Sequence, residues 1–239
     1  MTMTFEDKIR KIQYKSKFTQ SDLLIDELLL LDNDGIKIYY APFDFINKEA
    51  KVILVGITPG WTQMQIAYET IVRQLKHNQN WMSALSEVKK RAAFAGVMRS
   101  NLVNMLDEIG LNSKLGIESC HELFETKNHL LHATSYLKYP VFYKGVNYCG
   151  NSPSSLKEPL WKEIETNFVP EINEFQNKLI IPLGKSVKDV FSKLIAGQQL
   201  NENVYLENFP HPSGANAHRK TQFQKNKNLL ESTIQDWDF

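Results

Sequence analysis

Apolar residues along the chain fall into four short runs, separated by longer stretches in which apolar positions recur at helical spacing. Short apolar runs are typical of buried strands, and the first and third are also rich in branched side chains. The runs read KVILVGI (51–57), HLLHATS (129–135), KLIIPLG (178–184) and NVYLEN (203–208). The pattern therefore predicts four core strands.

Helices are predicted between and after these runs. The helical stretches are QIAYETIVRQL (65–75), SNLVNMLDEIGL (100–111), EPLWKEIETNFVPEINEF (158–175), KSVKDVFSKLI (185–195) and 216–235. Alternating strands and helices imply a mostly parallel sheet that is covered on both faces. The predicted fold class is α/β, a three-layer α/β/α sandwich with a central four-stranded sheet.

The start of the chain differs from this pattern. Residues 1–35 predict an N-terminal helical extension packed on the core, and 36–239 the main domain. Thr4 with Asp7 forms a capping pattern for a first helix, and Ser21 precedes a leucine-rich second one. IKIYYAPF (36–43) alternates weakly, as an edge strand would.

Composition narrows the function classes. A formal net charge of +1 excludes a global basic field, so any DNA-binding surface must be local. The chain has only two cysteines, which is too few for a disulfide framework or a four-cysteine metal site. The N-terminus lacks the apolar core of a signal peptide, and the longest apolar stretch is too short to span a bilayer. We expect a cytoplasmic monomer without metal, cofactor or membrane partner.

Two predicted strands run into rigid loops. GITPG (56–60) combines close backbone approach at its glycines with the fixed shape of Pro59, and Thr58 offers a hydroxyl. In HPSGAN (211–216), proline on both sides immobilises His211, which can donate to a developing negative charge. Ligands bind where loops leave the carboxyl ends of parallel strands, so we expect the loops to converge. Taken singly, each loop is explained better as a structural turn.

Taken together, the loops resemble the two signature motifs of the uracil-DNA glycosylase superfamily. Two further segments agree with that family and stand in the right order. FAG (94–96) with the following helix resembles the part that stacks on the extruded base, and PLGKSVKDVF (182–191) resembles a segment that touches DNA phosphate. ATSYLKYP (133–140) takes the place of the base-reading strand. The resemblance covers roughly residues 36–239.

The resemblance implies a monofunctional glycosylase that flips a nucleotide out of double-stranded DNA and leaves an abasic site. His211 would stabilise the leaving base and Thr58 would help to hold the attacking water. The base would be bound by Gly56, Ile57, Phe94 and Ser135. DNA would be held by Pro59, Gly60, Lys185, Ser186, Ser213, Gly214, Ala215, Asn216 and Arg219.

Three departures from the family pattern suggest an unusual target base. Thr58 replaces the Asp or Asn of better-known members, so water activation is expected to be weaker. Ser135 replaces a longer base-reading Asn, and Ala215 replaces a bulky wedge. We therefore expect excision of a modified pyrimidine, with glucosylated hydroxymethylcytosine of phage DNA as one candidate. A uracil or mismatch repair enzyme and a non-catalytic DNA-binding module of the same fold are the alternatives.

Other polar segments receive structural interpretations. HELFETKNHLLH (121–132) contains three histidines, but a metal site there would need a helix and a further ligand. EVKKR (87–91) is interpreted as a solvated helix face. The aromatic insert 138–155 is interpreted as a surface loop, with a pocket-shaping role as the less favoured alternative.

Overall fold

The computed structural model describes residues 3–150 and 157–238. Its strands are β1 (Leu29–Asn33), β2 (Ile36–Tyr39), β3 (Val52–Gly56), β4 (Leu131–Ser135), β5 (Val141–Tyr143), β6 (Val146–Asn147), β7 (Leu179–Pro182) and β8 (Val204–Tyr205). Its α-helices are α1 (Phe5–Arg10), α2 (Gln20–Leu23), α3 (Trp61–Lys76), α4 (Trp81–Ala92), α5 (Val97–Glu108), α6 (Leu111–Leu115), α7 (Lys157–Glu163), α8 (Val169–Ile172), α9 (Lys185–Ala196) and α10 (Arg219–Asp236).

The central sheet has the order β4-β3-β7-β8, and all its neighbouring strands are parallel. Each of the four apolar runs supplies one of these strands, as the sequence predicts. The two inner strands, β3 and β7, are fully buried, which explains why their sequences are continuously apolar. All four strands end at one edge of the sheet.

Helices cover both faces of this sheet. Val52 and Leu54 of β3 point into a cluster built with α5 and α10. Ile53 and Val55 point the other way, into a cluster with the segment from α7 to α9. A third cluster packs the N-terminal elements against α3 and α4. The predicted α/β/α sandwich with a four-stranded parallel sheet is confirmed.

The N-terminal segment contains less helix than predicted. Only α1, α2 and a 3-10 turn at Asp26–Leu28 are helical, and part of the leucine-rich stretch forms the strand β1. Asp34 and Gly35 both have positive φ, of 49° and 81°, and join β1 to β2 as a tight hairpin. The hairpin crosses the predicted domain boundary at residue 35.

The β1–β2 hairpin belongs to a second, antiparallel sheet of order β1-β2-β5-β6. Strands β5 and β6 come from the aromatic insert, and β5 pairs with the predicted edge strand, β2. The interpretation of this insert as a surface loop is therefore wrong for Val141–Asn147. Residues 151–155 of the insert lie outside the described residues.

Candidate active site

Four loops meet at the carboxyl edge of the central sheet. The Leu183 amide donates to the Val55 carbonyl at 2.9 Å, which aligns the loop after β7 with the threonine loop after β3. The Gly184 amide donates to Phe209 O at 2.9 Å and so joins the loop after β7 to the histidine loop after β8. Ser135, the last residue of β4, pairs with Gly56 in the parallel register. The predicted convergence of the two loops is therefore observed, with the end of β7 between them.

His211 packs directly on Gly184. A Cβ at Gly184 would lie 2.8 Å from His211 Cβ, and Gly184 also has a φ of +93°. Both facts require glycine at this position, since a side chain would displace the histidine and strain the backbone. Gly184 therefore fixes the position of the His211 side chain and also precedes the helix α9.

A clamp of polar side chains holds the histidine loop from the other side. Asn101 of α5 donates to Pro212 O at 2.9 Å, and Arg219 of α10 donates to Ser213 O at 2.7 Å. Asn216 donates to the His211 carbonyl at 3.2 Å. Arg219 and Asn216 are thus engaged within the protein, although the sequence assigned both to DNA. The clamping role of Asn101 was missed, because its partner lies 111 residues away.

The protonation of His211 follows from its contacts. The Ser213 amide donates to His211 Nδ1 at 3.3 Å, so Nδ1 acts as the acceptor and Nε2 carries the proton. Burial lowers the pKa of His211, which favours this neutral form. No described residue hydrogen-bonds Nε2. The ring is therefore a fixed neutral donor.

Thr58 is engaged by backbone on two sides. Its hydroxyl donates to Tyr139 O at 2.8 Å and accepts from the Val141 amide at 3.1 Å. These bonds tie the threonine loop to the start of β5. One lone pair of the hydroxyl is left for a water molecule, so Thr58 can position a water but has no free proton to give it.

Phe94 forms one wall of a pocket beside this edge. A Cβ at Gly56 would lie 3.1 Å from the Phe94 ring and 3.3 Å from Ser135 Oγ, so the ring and the hydroxyl face each other across Gly56. Phe94 has an unusual φ of +51°. Arg99 stabilises that turn by donating to Ala93 O at 2.6 Å and capping the end of α4. The sequence did not indicate the role of Arg99.

The pocket is small: about 20 Å³ of it accepts a water-sized sphere, and the space between its walls reaches about 330 Å³ only when the open mouth is included. Phe94, Ser135 and Pro59 line it; the sequence assigns the first two to the base, and that role stays a prediction. His211 is not among the lining residues and instead lines a different groove with Gly184 and Lys185. No described residue hydrogen-bonds the Ser135 hydroxyl, which leaves it available to a ligand. The full lining is Phe43, Pro59, Gln63, Lys89, Ala93, Phe94, Ala133, Thr134, Ser135 and Lys138.

Lys89 lines the pocket, so the prediction that it is exposed to solvent is wrong. It lies in EVKKR, which was expected to be a solvated helix face, yet its side chain is only 9% exposed. Its Nζ donates to Ala133 O at 2.9 Å. Burial lowers the pKa of Lys89 to about 8. Its position between Leu85 and Ala92 follows the buried stripe of α4, which was the available signal.

A buried polar network lies beneath the pocket. His132 Nε2 lies 2.9 Å from Glu171 Oε1, and Lys138 Nζ lies 3.2 Å from Glu171 Oε2. Although burial favours the neutral acid, Lys89, His132 and Lys138 together hold the pKa of Glu171 below its usual value. Lys138 also lies 3.7 Å from Asp44, which accepts bonds from Tyr40 and Tyr139. His132 is therefore part of an ionic network rather than a metal cluster.

The predicted DNA-contacting residues differ in availability. Lys185 is 86% exposed and pairs with Asp189 at 2.5 Å, while Ser186 lies 3.0 Å from the Tyr136 hydroxyl. Gly214 and Ala215 are exposed at the tip of the histidine loop, and Ser213 Oγ accepts from the Ala215 amide at 3.2 Å. Pro59 is buried in the pocket wall, and the Gly60 amide donates to Gln63. Ile57 is partly buried beside Gly150.

Residues 3–150 and 157–238 contain no group of three or more histidine, cysteine, aspartate or glutamate residues that could hold a metal ion. None of their helices is long and apolar enough to cross a membrane.

Comparison with known proteins agrees with this geometry. The profile of the Uracil DNA glycosylase superfamily matches residues 43–238, which include both loops, Phe94 and Ser135. The chain is 41% identical over 225 residues to the uncharacterized protein YoxB of Bacillus subtilis (strain 168), covering 93% of this chain and 88% of that protein. No solved structure matches the chain. Because the profile spans most of its length, the chain belongs to the uracil DNA glycosylase superfamily.

Proposed function

We propose that this protein is a monofunctional DNA glycosylase that hydrolyses the N-glycosidic bond of a modified pyrimidine. The observation that carries the proposal is the state of His211. It is a neutral imidazole held on both sides, and its Nε2 proton has no partner among the described residues. Such a fixed donor suits an anionic leaving group.

The proposed reaction breaks the bond between the sugar C1′ and the base N1, and the electron pair leaves with the base. His211 Nε2 donates to the base as its negative charge develops. A water oxygen then bonds to C1′, and the proton that the water loses returns to the base through solvent. The products are a free base and an abasic site. Thr58 would accept a hydrogen bond from the water, while the sugar's oxocarbenium character drives attack.

The pocket geometry supports base extrusion. Phe94 would stack on the extruded base, which is worth roughly 1–3 kcal/mol per base. The exposed Lys185 and the Gly214 amide at the tip of the histidine loop would contact phosphates, so DNA is the proposed partner. The amides of Ser213, Ala215 and Asn216 already donate within the loop. Monomeric state, cytoplasmic location and independence from cofactors stay predictions.

The identity of the base is the finer part of the proposal. Ser135 leaves more room than an asparagine, which favours a modified pyrimidine. Only about 20 Å³ of the pocket accepts a water-sized sphere, so a pyrimidine ring would have to widen it and the sugar of a glucosylated hydroxymethylcytosine would have to extend through the mouth. Uracil or mismatch repair and DNA binding without catalysis are the alternatives. Thr58 in place of a carboxylate is the feature that favours the last of these.

The test is base release, detected by mass spectrometry, from duplexes that contain uracil, a thymine mismatch, hydroxymethylcytosine or glucosylated phage cytosine. We expect release of a modified pyrimidine by the wild type. His211→Ala should abolish release and retain DNA binding. His218→Ala is the matched control, because His218 is exposed in the same loop. Salt-sensitive binding without release from any duplex would support a binding module and contradict the proposal.

A further inference from the structure

A buried lysine stands beside the proposed base with no described carboxylate in contact with its ammonium group, although Glu171 acts on it at longer range. Lys89 is 9% exposed, and its only hydrogen bond to a described residue goes to Ala133 O. No described carboxylate lies within 4.0 Å of its Nζ, whereas Lys138 in the same pocket lies near both Asp44 and Glu171. An ammonium group has three protons, so two of those on Lys89 remain unassigned.

Lys89 also stands between two cavities. It lines the base pocket, and together with Ala93 and Ala133 it lines a second cavity behind that pocket. The second cavity is bounded by Phe45, Asn47 and Phe124 among others. Burying a cationic group with unused donors is costly. An acceptor that enters the pocket would offset that cost.

The chemistry of a flipped pyrimidine places such an acceptor. The glycosidic N1 stays with the sugar at the pocket mouth, and C4 is the ring atom opposite N1. The substituent on C4 is therefore the group that reaches deepest. In uracil and its 5-substituted relatives this group is a carbonyl oxygen, whereas in cytosines it is an amino group.

We propose that Lys89 is a base-reading and catalytic residue that donates a hydrogen bond to the 4-carbonyl oxygen of the flipped base. This inference rests on the proposed glycosylase function. The ammonium group favours 4-oxo pyrimidines and repels the amino group of cytosines, so among the proposed modified pyrimidines it selects 5-substituted uracils and disfavours glucosylated hydroxymethylcytosine. Its bond strengthens as the base becomes anionic, because the charge spreads from N1 to the carbonyl oxygens. His211 and Lys89 would thus stabilise two parts of one leaving group.

Stabilisation of the leaving base by Lys89 would compensate for the weak activation of the attacking water by Thr58. Thr58 supplies neither a negative charge nor a free proton, so the barrier must be lowered mainly at the leaving base. The lowered pKa of Lys89 agrees with a desolvated donor that is still largely charged at neutral pH. A hydrogen bond from such a donor to a neutral carbonyl changes affinity by about tenfold or more.

Lys89→Met tests the proposal, because methionine keeps the length of the side chain and removes every donor. The matched control is Lys90→Met, since Lys90 lies on the same helix near Glu125 and does not line the base pocket. Lys89→Gln restores a neutral donor. Thermal unfolding of each variant establishes that it folds.

The first measurement is binding to duplexes that carry a cleavage-resistant 2′-fluoroarabino uracil or cytosine nucleotide. Wild type should prefer the 4-oxo base by about tenfold. Lys89→Met should bind the two bases equally, Lys89→Gln should recover part of the preference, and Lys90→Met should retain it. An unchanged preference in Lys89→Met, or a wild-type preference for cytosine, overturns the proposal.

The second measurement is the single-turnover release of uracil and 5-fluorouracil. Lys89→Met should lose about 10²-fold in rate with uracil, as when one charge-stabilising donor is removed. The loss should be smaller with 5-fluorouracil, because its anion is intrinsically more stable. If bases are released at equal rates by wild type and variant, the function stands and the role of Lys89 falls. If no base is released but Lys89→Met still loses the binding preference, the glycosylase proposal is contradicted and the base-reading role of Lys89 is supported.

Discussion

The threonine loop and the histidine loop occupy equivalent places after parallel strands but expose their polar groups differently. The Thr58 hydroxyl gives its proton to Tyr139 O and receives one from the Val141 amide. His211 is anchored through Nδ1 alone and keeps its Nε2 proton free of described partners. One loop therefore uses its side chain to hold the fold together, and the other leaves a side-chain donor without a partner among the described residues. The difference suggests that leaving-group stabilisation, rather than water activation, dominates the chemistry.

The largest effect on the histidine loop is expected from a substitution outside both loops. Gly184→Ala places a Cβ 2.8 Å from His211 Cβ and at a φ of +93°. We expect displacement of the imidazole and a loss of about 10²-fold in single-turnover base release, the scale expected when a catalytic group is misplaced by about 1 Å. The unfolding free energy should fall by about 1–3 kcal/mol.

Gly214→Ala is the matched control for Gly184→Ala. Its added Cβ meets nothing within 4 Å, although Gly214 lies in the histidine loop itself. Near wild-type single-turnover rates are expected at saturating DNA, because the substitution keeps the Gly214 amide that is proposed to contact phosphate. Equal losses in both variants would show that the loop tolerates no added side chain, and would contradict the specific role of Gly184 in positioning His211.

Measurements of stability and base release as a function of pH test the neutral state assigned to His211. Burial lowers the pKa of His211 below 6.5, and protonation of Nδ1 would break its bond from the Ser213 amide. Below pH 6.5 the unfolded chain therefore binds more protons than the folded chain, so stability falls as the pH drops and levels off below the folded pKa. Base release should decline at lower pH, around the depressed pKa of His211 in the folded protein, because the protonated ring loses the bond that positions it.

His211→Gln isolates this effect, because the pKa of buried His132 is also lowered and contributes with the same sign. We expect the wild type to have a higher thermal midpoint than His211→Gln at neutral pH. Between pH 8 and pH 5 the difference between the two midpoints should shrink as the pH falls. A constant difference across this range would contradict the assigned protonation state.

Thr58→Val should have the smallest effect on rate. It removes two hydrogen bonds to backbone and keeps the shape of the side chain, so we expect about 1–2 kcal/mol lower stability and a loss of less than about tenfold in base release. Thr58→Ser retains the hydroxyl and serves as the control. A loss in Thr58→Val as large as that in His211→Ala would show that the water side carries the chemistry after all.

The prediction of the sheet succeeded because its signal is local. Four apolar runs of strand length, each bounded by turn-forming or polar residues, correspond to the four parallel strands. The N-terminal hairpin was missed although Asp34 and Gly35 provide a strong turn signal, because the leucine-rich run before them also suits a helix. Lys89 was misplaced because a charged residue within EVKKR suggests solvent unless the helical stripe is followed.

The order of strands and helices and the two rigid loops are predictable from the sequence, since glycine, proline and apolar spacing act over a few residues. The use of each polar group depends on the folded arrangement. Thr58 is engaged because β5, more than 80 residues away, begins beside it, and the Nδ1 of His211 is an acceptor because the Ser213 amide points at it. Lys89 lies at the pocket because α4 packs against the edge strand β4. Hydrogen-bond partners are fixed by packing between distant segments, so no local pattern encodes them.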